Sequence, residues 1–234
     1  MNRAAFFDAI RPHLTLDQFA VDGVEALLDA GDGLPLHHMA NILAQVRRET
    51  GGIMGPIKET VFDYHKDKNP TDQEVMLRLD RAWAKGQLPW VDEPYWRDGW
   101  FGRGQIQITH RSNYAKFGIS NPADALKPHI SAHVAVKGMV EGLFTGKKLA
   151  DYAFPAALNN PPASNPRRIV NGQDGSDAQV AGFHRQFAAA LEAGGWGTAP
   201  AAQLPSNSVP TPFSKAPWWV QLIAAIASIF AKKG

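Results

Sequence analysis

The sequence predicts a mainly α-helical fold with a very small sheet, followed by a linker and a separate final helix. Apolar residues recur at helical spacing in several segments, and the clearest stripe comprises Met39, Ile42, Leu43 and Val46. Only one short run, QIQIT at 105–109, alternates apolar and polar residues as a strand does. From Gly194 to Pro217 the chain is rich in Gly, Ala, Pro, Ser and Thr without apolar periodicity, which is typical of a linker.

The first three helices are indicated by their stripes and their ends. Apolar residues at 6, 7 and 10 predict a short first helix. The pattern Thr15-Leu-Asp-Gln18 has the form of a capping box, which predicts the start of a second helix. Pro35 lies near the start of the third, where its missing N–H costs nothing. Gly51 and Gly52 should end that helix, because glycine readily takes left-handed caps.

The middle of the chain combines a further helix, an aromatic loop and the predicted strand. Thr71-Asp-Gln-Glu74 is a second capping box, and its helix should end at Gly86. The aromatic loop that follows contains Trp90, Tyr95, Trp96, Trp100 and Phe101. In QIQIT the isoleucines share one face and the polar residues share the other, so the strand would present a polar row to a cleft. A solvated edge strand would show the same pattern.

Two more helices complete the predicted domain. Asn121-Pro122 looks like an N-cap followed by a first-turn proline, and a long core helix should follow over residues 130–143. Residues 154–168 are rich in Pro and Asn and should form a loop. The stripe from Val180 to Leu191 predicts the last helix. We therefore divide the chain into a domain (1–195), a flexible linker (196–216) and a C-terminal helix (217–234).

The C-terminal helix has an amphipathic pattern. Residues from Trp218 to Ala231 are too few to cross a membrane comfortably, since a span takes about 20 apolar residues. On a helix the tryptophans and large aliphatic residues gather on one side, with lysines near both ends. This pattern predicts contact with a membrane surface through Trp218–Ala231. The alternative is a helix that docks on the domain or on a second copy, although we expect a monomer.

Composition limits the classes of function and compartment. A net charge of only +2 predicts no binding to nucleic acid. The absence of cysteine excludes disulfides and thiolate metal sites, and it suits a protein made in a reducing cytosol. The first residues lack the apolar core of a secretion signal, so we expect synthesis in the cytoplasm without a signal peptide.

Glu49 and Glu59 are the first candidates for chemistry. Glu49 follows Val46 by three positions, so a helix directs it along the apolar face. Partial desolvation favours the neutral form of a carboxyl, as a general acid requires. Glu59 comes ten positions later, and two carboxylates across a cleft can hydrolyse a glycosidic bond. For either residue alone, a structural carboxylate is the alternative interpretation.

Three motifs follow one another along the chain: RRETGG with Glu59 after it, then WFGRGQIQITHRSNY, then RRIVNG. Together and in this order they resemble glycoside hydrolase family 19, most closely its phage endolysin branch. The resemblance covers roughly residues 1–195 and implies a lysozyme-like fold with a deep substrate groove. It also implies an inverting reaction with Glu49 as general acid, Glu59 as general base and Thr109 holding the water, without a metal or cofactor. Three further residues fall on substrate-binding positions: Gln107, Asn113 and Asn171.

Four positions depart from the family pattern. Gln105 replaces the proline of GRGP, and Gln173 replaces the second glycine of INGG. Val180 stands where the family has an arginine, and Arg48 stands where the plant enzymes have the histidine of HET. These departures suggest a changed groove lining and a substrate other than plain chitin. We therefore expect an endolysin that acts on bacterial peptidoglycan in the periplasm or cell wall. The resemblance also implies a separate holin-like partner for export.

The alternatives come from different classes. A chitinase would use the same two carboxylates, whereas a non-catalytic wall-binding module or virion protein would not need Glu49, Glu59 and Thr109 together. A zinc amidase is suggested by His129 and His133, which are four positions apart. Neither an HExxH motif nor an evident third ligand accompanies them, so ordinary surface histidines are the better interpretation.

Overall fold

A computed structural model describes residues 1–60, 70–89 and 91–197. Within these residues the chain forms seven α-helices and one two-stranded antiparallel sheet, which confirms the prediction of a mainly α fold with a very small sheet. The strands are β1 (Ile57–Lys58) and β2 (Arg103–Gly104). The helices are α1 (Arg3–Ile10), α2 (Gln18–Ala30), α3 (Leu36–Glu49), α4 (Asp72–Ala84), α5 (Arg111–Ala115), α6 (Pro128–Glu141) and α7 (Asp177–Ala193).

Helix α3 lies at the centre of the core. It packs on α7, α6 and α2, while α1 also packs on α7. Its predicted apolar stripe is fully buried, and so are two polar side chains on the same helix, Asn41 and Gln45. Because α3 is enclosed along most of its length, it carries its last residue, Glu49, directly from the core to the edge of the domain.

Helix α4 braces the small sheet. The capping box predicted at its start is present: Glu74 N–H donates to the Thr71 hydroxyl at 3.2 Å, and Thr71 N–H donates to the Glu74 carboxylate at 2.6 Å. Asp72, which directly follows Thr71, pairs with Lys58 of β1 at 2.9 Å and with Arg103 of β2 at 2.8 Å. One carboxylate therefore joins both strands to the first turn of α4.

The predicted strand over 105–109 is wrong. β2 ends at Gly104, and the chain then turns back so that Ile108 forms an isolated bridge with Arg103. The turn places Gln107 at a positive φ of 54°, which a strand does not allow. The alternating pattern is real, but it belongs to a tight turn whose two isoleucines are both buried.

Gln105 explains why the polar row does not form. Its side chain is fully buried rather than facing a cleft. Nε2 donates to the carbonyl of Gly23 at 3.0 Å and to that of Met54 at 2.6 Å. Buried carbonyls need donors, so these two bonds stabilise the turn against the extended alternative.

Two helix starts also differ from the patterns. The capping box predicted at Thr15 is wrong: α2 begins at Gln18, and Asp17 is its N-cap, accepting a hydrogen bond from Ala20 N–H at 2.8 Å. A carboxylate near the positive end of a helix is a stronger acceptor than a hydroxyl, so Asp17 rather than Thr15 occupies the N-cap position. Asn121 caps only a short 3₁₀ turn, and α6 starts later, at Pro128.

The C-terminal predictions lie mostly outside the described residues. Trp196, the first residue of the predicted linker, packs in the main core and donates from Nε1 to the carbonyl of Leu34 at 2.8 Å. The rest of the linker beyond Gly197, the predicted helix 217–234 and Trp90 are outside the described residues. Within residues 1–60, 70–89 and 91–197, none of the helices has the length and hydropathy of a transmembrane span.

Candidate active site

Glu49 ends α3 at the point where the apolar stripe reaches the surface. Its side chain is 17% exposed, and Oε1 lies 2.6 Å from Nη2 of Arg167, whose side chain is almost fully buried. Gly51 and Gly52 follow at positive φ values of 60° and 92°, as predicted. The chain therefore leaves the helix directly after the carboxylate.

Arg167 is held by more than Glu49. It lies in the 3₁₀ turn Pro166–Ile169, and its Nη1 donates to Oε1 of Gln45 at 2.7 Å. Nη2 and Nε both donate to Oδ2 of Asp174, at 2.7 and 3.2 Å. A buried guanidinium thus lies between two carboxylates, and Gln45 anchors it to the middle of α3.

Asp174 balances the charge of Arg167. Burial alone would raise the pKa of Asp174, but hydrogen bonds from Arg167 and Ser176 lower it well below its ordinary value. Burial would likewise lower the pKa of Arg167, yet the bonds and charges of Asp174 and Glu49 raise it. Asp174 and Arg167 therefore both remain charged near neutral pH.

The surroundings of Glu49 are more polar than the sequence indicated. The stripe predicted an apolar setting that would favour a neutral carboxyl. The structure instead places the guanidinium of Arg167 2.6 Å from the Glu49 carboxylate. Because Asp174 also binds Arg167, Glu49 is not the only counter-charge of that guanidinium.

Glu59 directly follows β1, and the sheet positions its backbone. Its N–H donates to the carbonyl of Gly102 at 2.7 Å, which extends the strand pairing by one residue. The N–H of Gly102 donates back to Oε2 of Glu59, and the hydroxyl of Tyr95 donates to Oε1, both at 2.7 Å. Each carboxylate oxygen of Glu59 therefore has one fixed donor.

Tyr95 reaches Glu59 from the 3₁₀ turn Tyr95–Asp98. Its ring packs edge-on against Trp96, with centroids 5.1 Å apart, and lies 4.8 Å from the ring of His110. Burial raises the pKa of Tyr95, and the charge and hydrogen bond of Glu59 raise it further. The phenol therefore keeps its proton and acts as a donor.

The side chains of Glu59 and Gln107 both lie against Gly102. A Cβ at Gly102 would lie 3.0 Å from Oε1 of Gln107 and 3.1 Å from Oε2 of Glu59, so a larger residue would displace one of them. Nε2 of Gln107 donates to the carbonyls of Ile57 at 2.9 Å and Gly104 at 2.7 Å. Gln107 thus lies beside the carboxylate while its amide group ties β1 to β2.

Thr109 and Asn113 follow on the same segment. Thr109 is half-buried and comes directly after the bridge formed by Ile108. Asn113 lies in α5 and donates from Nδ2 to the carbonyl of Thr109 at 3.0 Å. Short chain connections thus join Thr109 and Asn113 to Gly102, the partner of Glu59.

Asn171 belongs with the other carboxylate. It is exposed, its N–H donates to the carbonyl of Arg167 at 3.2 Å, and its Oδ1 accepts from Gly172 N–H at 2.8 Å. The predicted site residues therefore fall into two groups, one around Glu49 and one around Glu59. Residues 50–58 connect the two groups directly along the chain.

The histidines considered as zinc ligands, His129 and His133, are both exposed on α6. Across the described part of the chain, no three or more His, Asp or Glu side chains are grouped so that they could hold a metal ion.

Three residues of this site had no role in the sequence prediction. Arg167 lies in the RRIVNG motif and Tyr95 in the aromatic loop, so both were visible as neighbours of predicted residues. Their partners are 118 and 36 positions away, at Glu49 and Glu59, and no local pattern indicates such distant pairs. Asp174 carried no sequence signal of its own.

Comparison of the chain with protein-family models, with curated proteins and with solved structures finds no match. Function is therefore inferred from the residues and their geometry.

Proposed function

We propose that this chain is a lysozyme-like glycoside hydrolase of the endolysin type, which cleaves the glycan strand of bacterial peptidoglycan with inversion. One observation carries the proposal: Glu49 and Glu59 lie on either side of a glycine turn, and each is held by its own set of side-chain or backbone partners. Two separately controlled carboxylates are what an acid and a base in one reaction require. A groove between them would hold the sugar chain.

Glu49 would act as the general acid. In its protonated form it would give its proton to the glycosidic oxygen as the bond to the anomeric carbon breaks. The carboxylate left behind would lie 2.6 Å from Arg167, which stabilises it. Because Asp174 also balances Arg167, protonation of Glu49 does not leave the guanidinium as an unmatched buried charge.

Glu59 would act as the general base. It would take one proton from a water molecule held with the hydroxyl of Thr109, while the water oxygen attacks the anomeric carbon from the opposite face. The product would be a sugar of inverted configuration; Glu59 would then release its proton to solvent and Glu49 would regain one. This mechanism needs room for water, so the carboxyls should be roughly 6.5–9.5 Å apart in the working enzyme.

The family departures bear on the substrate less than the sequence suggested. Gln105 is fully buried and Val180 is 1% exposed, so neither lines a groove. Of the four departures, Gln173 alone is exposed, and Arg48 is half-buried. The preference for peptidoglycan over chitin therefore rests on the endolysin-like motifs and on the amphipathic C-terminal segment.

Mass spectrometry of the fragments released from purified peptidoglycan would test the proposal. We would compare wild type with Glu49→Gln, Glu59→Gln and a control, Glu192→Gln, whose side chain is exposed on α7. Reducing-end muramic acid from wild type and control, but from neither site variant, would support a muramidase. Reducing-end glucosamine would support the same mechanism acting on the other glycosidic bond of the glycan strand. Peptide or amide products would contradict the proposal, and cleavage of chitin oligomers alone would favour a chitinase.

A further inference from the structure

We propose that Tyr95 is a positioning residue for the reaction: its hydroxyl fixes the Glu59 carboxylate in the orientation and the ionised form in which it takes a proton from water. This inference rests on the proposed function, because the hydrogen bond has this role only if Glu59 is the general base.

The two donors on Glu59 restrict its carboxylate more than one could. Tyr95 donates to Oε1 and Gly102 N–H to Oε2, both at 2.7 Å. A single donor would still permit rotation of the carboxylate plane, whereas donors on both oxygens define that plane. A carboxylate oxygen can accept two hydrogen bonds, so each oxygen keeps one site for water. A base held in this way meets its water in a defined geometry, which is a large part of catalysis.

Tyr95 is itself firmly held. Its ring contacts those of Trp96 and His110, and Trp96 is fully buried. Nε1 of Trp96 donates to Asp80 of α4 at 2.9 Å, so the turn that carries Tyr95 is anchored to that helix. Glu59 is held through the sheet, which Asp72 joins to the same helix. The hydrogen bond therefore connects two segments that α4 braces, and its direction is set by both.

A merely structural role for Tyr95 makes a different prediction. If the hydrogen bond only ties the turn to β1, its loss should lower stability without changing how activity depends on pH. If Tyr95 favours the ionised base, its loss should move the acidic limb of the pH profile to higher pH. The acidic limb of kcat/KM reports ionisation of the base in the free enzyme, so it separates the two roles.

The test compares Tyr95→Phe with Tyr152→Phe. Tyr152 is the control, because it is half-buried and packs against the main core, where its ring contacts that of Phe154 at a centroid distance of 6.2 Å. For Tyr95→Phe we expect kcat to fall about tenfold at neutral pH, KM to stay unchanged, and the acidic limb to rise by about one pH unit. Tyr152→Phe should leave both kcat and the acidic limb unchanged. Identical pH profiles for the two variants would overturn the inference.

A second variant keeps the hydroxyl and the shape. Replacing Tyr95 with 3-fluorotyrosine makes the phenol a stronger donor, so the acidic limb should move to lower pH, opposite to Tyr95→Phe. A limb that does not move would overturn the inference even if Tyr95→Phe fails to fold. Glu59→Gln distinguishes the two proposals. If Glu59→Gln remains active, the proposed function is wrong. If Glu59→Gln is inactive but neither Tyr95 variant moves the acidic limb, only the role of Tyr95 is refuted.

Discussion

Lowering the pH from 7.5 to 5 should destabilise the domain by about 2 kcal/mol through one buried histidine, His184 of α7. The side chain is fully buried, and its Nε2 lies 3.2 Å from Nδ1 of His37. The ring of Phe154 stacks on the other side, with centroids 5.3 Å apart. Burial, followed by the charges of His37 and Arg185, lowers the pKa of His184 to about 3. The folded protein therefore holds this ring neutral.

The magnitude follows from the two pKa values. The unfolded chain binds the proton with an ordinary pKa of 6.5, whereas the folded chain does so only near 3. The stability is therefore fully present above pH 6.5 and is lost as the pH falls from 6.5 towards 3. At pH 5 the loss spans about 1.5 pH units at 1.36 kcal/mol each, or about 2 kcal/mol. The lowered pKa of Asp174 matters only below its unfolded value of 3.8, outside this window.

Urea denaturation at pH 7.5, 6 and 5 would measure this effect. The wild type should lose about 2 kcal/mol, while His184→Gln, which cannot titrate, should change little over the same range. His129→Gln is the control, since that histidine is exposed on α6 and should leave the wild-type slope unchanged. Burial also lowers the pKa of His38 and of His133, so both histidines add a loss of the same sign in all three proteins. A slope for His184→Gln equal to that of wild type would refute the reasoning.

Two further predictions concern the site and the tail. Arg167→Met should reduce hydrolysis at least a hundredfold and lower the free energy of unfolding by roughly 3–5 kcal/mol, because it leaves Asp174 and Glu49 without their shared counter-charge. The control, Arg168→Met at the neighbouring half-buried position, should change neither hydrolysis nor stability. Digestion of purified wall and urea unfolding would measure the two effects. Equal losses in the two variants would contradict the role given to Arg167. Deletion of residues 213–234 should abolish lysis of intact cells but spare digestion of purified wall, and undiminished lysis would exclude a membrane role for the tail.

The helices could be predicted because their signals are local. The stripe of α3, the glycines after it and the capping box of α4 are all read within one or two helical turns, and the structure confirms each. The strand at 105–109 failed because its alternating pattern is also compatible with a turn. What decides between the two is Gln105, whose acceptors on Gly23 and Met54 are distant in sequence.

The two candidate carboxylates could be named from the sequence, but the side chains that bind them could not. Glu49 and Glu59 stand out by their position after a stripe and after a glycine turn. The groups that bind them, Arg167 and Tyr95, come from other elements that only the tertiary fold brings near. Sequence reasoning also expected an apolar setting for Glu49, because a stripe describes the helix itself and not the loop that packs against its end.

The ion pairs of Asp72 determine how local unfolding of the domain would affect Glu59. A pair of two-residue strands has almost no stability of its own. Since Asp72 joins Lys58 and Arg103 to the first turn of α4, strands and helix should exchange their amide hydrogens as one cooperative unit. Glu59 follows β1 without a break, so an event that frays the start of α4 would also release the carboxylate. The Glu59 carboxylate is therefore ordered only as long as a helix that contributes none of the predicted site residues stays folded.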